Sequence, residues 1–136
     1  TYGFVVSCPQ AGTSRKICIF TDLCRWTEQM VDHLTDCDFA FLESNHDREL
    51  LRLYPNYASR FHLPNLHTAL WIRTALNRSR ALPRAIMLGH LSKERNTPEL
   101  ALAAIRAALE GVERFRDLPL LVAPRHEPSA TVTIAD

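Results

Sequence analysis

Three short apolar stretches, each followed at once by polar residues, constrain the fold of this chain more than any other feature. They cover residues 17–20, 39–42 and 85–88. Apolar runs of this length, separated by segments long enough for a helix, are typical of buried strands in an α/β protein. Ligands in such proteins collect at the carboxyl ends of the strands. The pattern therefore predicts an α/β domain with a functional site at one edge of its sheet.

The polar residues at these strand ends are of the types that bind metal ions or move protons. Asp22 follows the first stretch, the run LESNHD at 42–47 ends the second, and His90 follows the third. One acidic residue at a strand end is ordinary. Three strand ends that together carry aspartate, glutamate and histidine indicate an active site, and these residue types favour a metal site.

The composition is that of an ordinary globular domain. The chain has 136 residues, 46% hydrophobic and 23% charged, so it forms one domain at most. Its net charge of +1 provides no global basic field, so a substrate phosphate has to be met by local groups. No apolar run approaches the length of a membrane span. The cysteines show no paired zinc-site spacing, which favours a reducing compartment, and we expect a cytoplasmic protein.

Local signals predict the remaining elements. Strands are expected at 2–6, 16–20, 39–42, 85–88, 118–123 and 131–134, and helices at 27–34, 49–53, 67–77 and 97–109. The last helix has the strongest signal, because Asn96 or Thr97 can cap its N-terminus and Pro98 suits its first turn. The resulting order, ββαβααβαββ, predicts a sheet covered by helices on one face.

Asp22 and His90 are the candidate metal ligands. The two oxygens of Asp22 can bridge divalent ions, but Asp22 also lies close enough to cap the following helix, and for a lone residue the cap is favoured. His90 carries the commonest metal-binding group, although a core histidine bonded to a backbone carbonyl is the ordinary alternative. Their placement on neighbouring strands makes the metal interpretation as strong as the structural one.

Glu43, His46 and His62 are candidates for roles beside the metal. Glu43 can hold a ligating histidine in the correct tautomer, or it can pair with a following arginine. His46 can meet a substrate phosphate or transfer a proton, or it can cap the next helix. His62 lies in a cluster with Asn65 and His67, where Asn65 can simply begin a helix.

A series of short motifs runs through the chain in a fixed order. The stretches are Thr21–Cys24, Glu43–Asp47, Tyr54–Arg60, His62–Asn65, Thr68–Ala69, Gly89–Ser92 and Asn96–Ala101. This series resembles the C-terminal half of a metallo-β-lactamase-fold hydrolase of the YycJ/WalJ group. In that group TDLG ends one strand, an ESNHD-like run ends the next, and YP…R…GHLSN…TA, HLS and NNTPELA follow. The resemblance covers nearly the whole chain.

The resemblance implies half of a four-layer αββα sandwich, with a mixed sheet that carries helices on one face. Residues 1–136 would be the C-terminal portion of one domain. The implied activity is metal-dependent hydrolysis of phosphodiesters, with nucleic acid as the expected substrate. Zinc or manganese is the implied metal, with two ions in the complete fold.

The resemblance also assigns roles to individual residues. Asp22 is similar to the carboxylate that bridges two metal ions, and His90 to the last histidine ligand. His62 is similar to a histidine that faces the substrate phosphate. Glu43 and His46 are similar to residues that line the site, so His62, His46 and Glu43 are the expected catalytic residues.

Three departures from the family pattern bear on function. Cys24 stands in place of a glycine and Pro64 in place of a serine, so both loops are expected to differ in shape. The family's HxHxDH motif lies N-terminal to the matched region and is absent from this sequence. With Asp22 and His90 alone, a two-metal site has too few protein ligands. The isolated chain is therefore expected to bind metal weakly and to hydrolyse nothing efficiently.

Three hypotheses follow from these observations. The first is a metal-dependent phosphodiesterase or nuclease of which this chain is a part. The second is a non-catalytic remnant that acts as an interaction module and associates through an uncovered sheet face. The third is an unrelated α/β binding module whose aspartate and histidines are caps and core residues. The ordered motifs make the third hypothesis the least favoured.

Overall fold

A computed structural model describes residues 2–10 and 12–134, which form an α/β fold around a five-stranded sheet. The strands are β1 (Phe4–Gln10), β2 (Thr13–Phe20), β3 (Phe39–Glu43), β4 (Ala85–Gly89) and β5 (Leu120–Val122). The α-helices are α1 (Glu28–Leu34), α2 (Arg48–Leu53), α3 (Asn65–Arg78) and α4 (Pro98–Leu109). Two short 3-10 helices cover Tyr57–Phe61 and Glu113–Phe115.

The strands lie in sequence order across the sheet, from β1 to β5. β1 and β2 are antiparallel, and each later pair of neighbours is parallel. The carboxyl ends of β2, β3 and β4 therefore meet at one edge, where Leu42 pairs with Phe20 on one side and with Leu88 on the other. The predicted α/β class and mixed sheet are confirmed, while the relationship to half of an αββα sandwich stays a prediction.

One face of the sheet packs against the helices. Alternate strand residues point into this core, as the period of two in a β-strand requires. The strand residues of this core are Cys18, Phe20, Ala40, Leu42, Ile86, Leu88 and Leu120. Phe20 contacts Trp71 of α3 edge to face, with ring centroids 5.3 Å apart. This core fixes the positions of the strand ends that carry the candidate site.

The opposite face of the sheet is also apolar, and the C-terminal segment lies against it. Ile19 and Phe41 line a cavity of about 610 Å³ together with Val132 and Ile134. The prediction of a strand at 131–134 is wrong, because this segment has no strand structure. Its alternating apolar residues cover the sheet face instead of pairing with an edge strand, and alternation alone does not distinguish these outcomes.

The bounds of several elements differ from those predicted. The N-terminal turn is shorter than expected, because β1 continues through Pro9 and β2 already begins at Thr13. Proline is compatible with β1 because this strand lies at the edge of the sheet. Helix α3 begins at Asn65 rather than at 67, and the 3-10 helix that precedes it was not predicted.

Polar side chains cap three of the α-helices. Thr27 caps α1, Asp47 caps α2, and Thr97 caps α4 as predicted, with its hydroxyl accepting the Leu100 N–H at 3.2 Å. The longest helix, α3, has 14 residues. Within the described parts of the chain, no helix combines the length and apolar character needed to cross a membrane.

Candidate functional site

The chain turns sharply where β2 and β4 end, and these turns present Asp22 and His90. Both residues have left-handed backbone conformations, with φ angles of 58° and 56°. Such angles are uncommon outside glycine, although aspartate and histidine tolerate them better than most residues. Glycine is required at position 89 for a different reason, because a side chain there would collide with the Phe41 ring. Strands β2 and β4 are not the neighbours expected from the sequence, because β3 lies between them. Unusual backbone conformations at two strand ends on one edge of a sheet are a feature of functional sites.

Asp22, His62 and His90 form a compact group of potential metal ligands. Each offers one ligand atom, and these atoms lie within 4.8 Å of one another. Nε2 of His90 is 3.6 Å from Oδ1 of Asp22, and the His62 and His90 rings have centroids 5.1 Å apart. The two residues proposed as ligands from the sequence therefore lie together. His62, which was expected to face the substrate, joins them in the same group.

The carboxylate of Glu43 connects the two histidines. Glu43 is fully buried, and its Oε1 atom lies 2.7 Å from His62 Nδ1 and 3.1 Å from His90 Nδ1. Its Oε2 atom accepts a hydrogen bond from the backbone N–H of Leu23 at 2.8 Å. An ionised carboxylate only accepts hydrogen bonds, so both Nδ1 atoms carry a proton, and in a neutral ring the free lone pair is then on Nε2. Carboxylates hold metal-binding histidines in this tautomer.

His46 lies beside this group of ligands and not within it. Its side chain is buried, and its Nδ1 atom is 3.3 Å from Oδ1 of Asn45. Burial lowers the pKa of His46, and the nearby His62 and Arg48 lower it further. The ring is therefore neutral near pH 7, the form that can accept a proton. Its position is compatible with the predicted role in proton transfer.

The ordinary structural alternatives for Asp22, His46 and Glu43 do not apply, whereas Asn65 does begin helix α3. The cap of α1 is Thr27 and not Asp22, and the cap of α2 is Asp47 and not His46. The side chain of Glu43 pairs with histidines in place of an arginine. Helix capping therefore does not explain the positions of Asp22 and His46 in the site.

A buried network of amide groups holds the loops around the site, and sequence reasoning missed it. The Ser44 hydroxyl donates to Oδ1 of Asn65 at 2.7 Å. Nδ2 of Asn96 donates to the same oxygen and to the Ser44 carbonyl, both at 2.8 Å. These residues come from the end of β3, the start of α3 and the loop before α4. The only signal in the sequence is that both asparagines stand at predicted helix starts.

A cavity of about 480 Å³ opens beside His62. His46 and His67 line its inner wall, and Tyr57 and Arg60 line its outer wall. No aspartate or glutamate is among its lining residues. A cavity lined by imidazole and guanidinium groups without carboxylates favours an anionic ligand. Such a ligand would lie directly beside the group formed by Asp22, His62 and His90.

Comparison of the chain with protein family models, with curated proteins and with solved structures finds no match. The resemblance to the YycJ/WalJ group therefore stays a prediction that depends on the ordered motifs. A functional proposal for this chain therefore depends on the geometry of the site.

Proposed function

We propose that this protein is a metal-dependent hydrolase of phosphodiesters, with Asp22, His62 and His90 as ligands of a divalent metal ion. The observation that carries the proposal is the convergence of three ligand atoms within 4.8 Å. A second feature supports it, since a buried carboxylate contacts Nδ1 of both histidines. The three ligands come from the ends of β2 and β4 and from the loop before α3, so the fold assembles them.

The donor set fits zinc or manganese. Imidazole nitrogen and carboxylate oxygen are ligands that both metals accept. Catalytic zinc sites commonly combine three protein ligands with one open position. The side chains of Asp22 and His90 are 59% and 42% exposed, which leaves the group accessible to a substrate. A pair of ions, as in the complete metallo-β-lactamase fold, needs ligands beyond these three.

The residues of the chain prepare the site for hydrolysis. When bound, a divalent ion supplies a Lewis acid that polarises a phosphoryl oxygen and makes water more acidic. Glu43 contacts Nδ1 of both His62 and His90, which leaves their Nε2 atoms as the positions that would bind a metal. His46, neutral because burial lowers its pKa, is suited to accept a proton during the reaction.

The cavity beside His62 supports an anionic substrate. It is lined by three histidines and Arg60 and by no carboxylate. Because the chain as a whole has a net charge of only +1, these local groups have to provide the attraction for a phosphate. This favours a phosphodiester over a neutral ester, and the motif resemblance suggests nucleic acid as its source.

Calorimetric titration of zinc into the metal-free chain tests the proposal. We expect one ion per chain, with modest affinity because three protein ligands are available. Binding should weaken as the pH falls, since ligating imidazoles must be neutral. We also expect slow cleavage of bis(p-nitrophenyl) phosphate that requires added zinc or manganese. Lack of saturable binding at neutral pH, or cleavage that continues unchanged in EDTA, would contradict the proposal.

Replacing Glu43 by glutamine is expected to weaken zinc binding about 10- to 100-fold, the usual range for loss of a group that orients metal ligands. Both imidazoles contact Oε1 while the Leu23 N–H donates to Oε2. Glutamine has nearly the same shape but has one acceptor oxygen and no charge, so its NH2 group would face either the imidazoles or the Leu23 N–H, which are all donors. The same zinc titration measures the effect, with thermal unfolding as the check on folding. Glu49→Gln, at an exposed position on α2, is the matched control. Equal zinc affinities for the two variants would show that Glu43 does not orient the metal ligands.

Exposed apolar side chains on the first two strands favour a second candidate function, that of an interaction module. Phe4, Val6 and Ile19 are 61%, 54% and 37% exposed. Apolar groups exposed on an edge strand are a common basis for association between chains. Light scattering together with the zinc titration separates the two candidates. Formation of a stable dimer without zinc binding would favour the interaction module.

A further inference from the structure

Tyr57 lines the cavity beside His62 and forms an aromatic cluster with Phe61, a feature that hydrolysis itself does not require. Tyr57 and Phe61, both in the 3-10 helix Tyr57–Phe61, are 70% and 51% exposed. Their rings meet edge to face, with centroids 6.2 Å apart and an interplanar angle of 81°. Grouped exposed aromatic rings at the mouth of a cavity are a feature of binding sites.

The guanidinium group of Arg60 orders this aromatic cluster. It lies 3.5 Å from the ring centroid of Tyr57 and 4.4 Å from that of Phe61. These cation–π contacts hold the rings in place and put a positive charge beside them. Because Tyr57 stays largely exposed despite this contact, the rest of its ring surface is open to a planar ligand.

The inner wall of the same cavity presents imidazole rings within a mostly apolar lining, and it has no carboxylate. It includes His46, His62 and His67. Nη2 of Arg48 donates to Nε2 of His67 at 2.8 Å, which places a second guanidinium behind this wall. Burial and the charge of Arg48 both lower the pKa of His67, so its ring is neutral and its Nδ1–H is the donor. Imidazole and guanidinium N–H groups are suited to the oxygens of a phosphate or a sugar.

The size of the cavity is compatible with one nucleotide. Its volume of about 480 Å³ falls within the range of roughly 300–1,000 Å³ typical of small-molecule sites. One wall offers aromatic surface and the other offers donors for anionic or hydroxyl oxygens. A nucleotide has the same two parts, a planar base and a charged sugar phosphate.

We propose that this cavity binds the nucleotide next to the scissile phosphate, with its unpaired base stacked on Tyr57, whose ring Phe61 supports edge to face. The inference rests on the proposed hydrolase function and names the part of the substrate that lies outside the metal site. Aromatic side chains beside arginine bind single strands with little sequence preference, because every base has a flat π surface. Bases within a duplex are already stacked on their neighbours, so single strands and frayed ends are the preferred substrates.

Fluorescence anisotropy with a short dye-labelled oligothymidylate, measured in EDTA, tests this inference without any metal. The wild-type chain should bind the single strand more tightly than an abasic strand of equal charge or a blunt duplex. The double variant Tyr57→Ala/Phe61→Ala should lose roughly tenfold or more in affinity, as expected when stacking of a base is removed. Tyr57→Phe keeps the ring and should bind like the wild type.

Two controls separate stacking from a general effect on the protein. Leu100→Ala removes an exposed apolar side chain from α4, away from the cavity, and should leave oligonucleotide binding unchanged. The double variant should bind zinc as the wild type does. The zinc titration tests the hydrolase proposal separately from oligonucleotide binding. Failure of the nucleotide inference can therefore be distinguished from failure of the hydrolase proposal.

The possible outcomes either support or overturn the inference. A parallel titration uses oligouridylate. Binding of oligothymidylate, of oligouridylate or of both, with the expected loss in the double variant, supports the inference and distinguishes DNA from RNA. Equal binding of the ordinary and abasic strands overturns it, because the cavity would then recognise only phosphate. Equal binding by the wild type and the double variant, or no binding of either strand, also overturns it.

Discussion

Replacing His90 by asparagine is expected to reduce zinc affinity by more than about a hundredfold. Loss of a group that only orients a ligand costs about 10- to 100-fold, and loss of a ligand should cost more. Only Asp22 and His62 would remain in the ligand group. Asparagine is the appropriate replacement because it tolerates the left-handed backbone of His90, with its φ of 56°. Alanine at this position would add backbone strain to the loss of the ligand.

Zinc titration and metal analysis after dialysis measure this effect. His126→Asn is the matched control, because it changes another exposed histidine in a segment after β5. The control should bind zinc like the wild type. Retention of wild-type zinc affinity by His90→Asn would show that His90 is not a ligand, and the central element of the proposed site would then fail.

The parts of this protein that sequence predicts well are those encoded locally. The apolar runs before Asp22 and His90 identify two strand ends, and parallel pairing brings such ends to one sheet edge. The N-cap of α4 was also predictable, because Thr97 stands directly before Pro98 in a helical pattern. These features depend on residues that are close together in the chain.

The parts that sequence does not predict depend on contacts between distant segments. His62 was expected beside the metal site, but its place among the ligands was not predicted, because it depends on the return of the loop before α3 to the sheet edge. Glu43 was expected to orient a histidine, but its contact with both His62 and His90, which are 19 and 47 residues away, was not predicted. The prediction of a strand at 131–134 was wrong for a related reason. Alternating apolar residues can cover a sheet face as well as extend a sheet.

Replacing Asn65 by alanine is expected to lower the free energy of unfolding by about 2–4 kcal/mol, because buried polar groups left without partners cost about 1–3 kcal/mol each. Asn65 is 3% exposed and accepts from both Ser44 and Asn96. Its removal leaves the Ser44 hydroxyl unpaired and takes one acceptor and one donor from Asn96. The destabilisation is expected to act next to Glu43, because Ser44 directly follows Glu43 in the chain.

Denaturant unfolding of Asn65→Ala and of the control Asn77→Ala measures this cost. Asn77 is an exposed residue of the same helix, where alanine is the better helix former, so the control should be neutral or slightly stabilising. The double variant Asn65→Ala/Asn96→Ala should lose less stability than the sum of the two single changes, because each removes a partner of the other. A loss below about 1 kcal/mol for Asn65→Ala would fall under the cost of one buried unpaired group. The amide network would then contribute little to the position of Glu43, and the hydrogen bond from Thr68 to the Glu43 carbonyl, at 2.7 Å, would have to provide most of it.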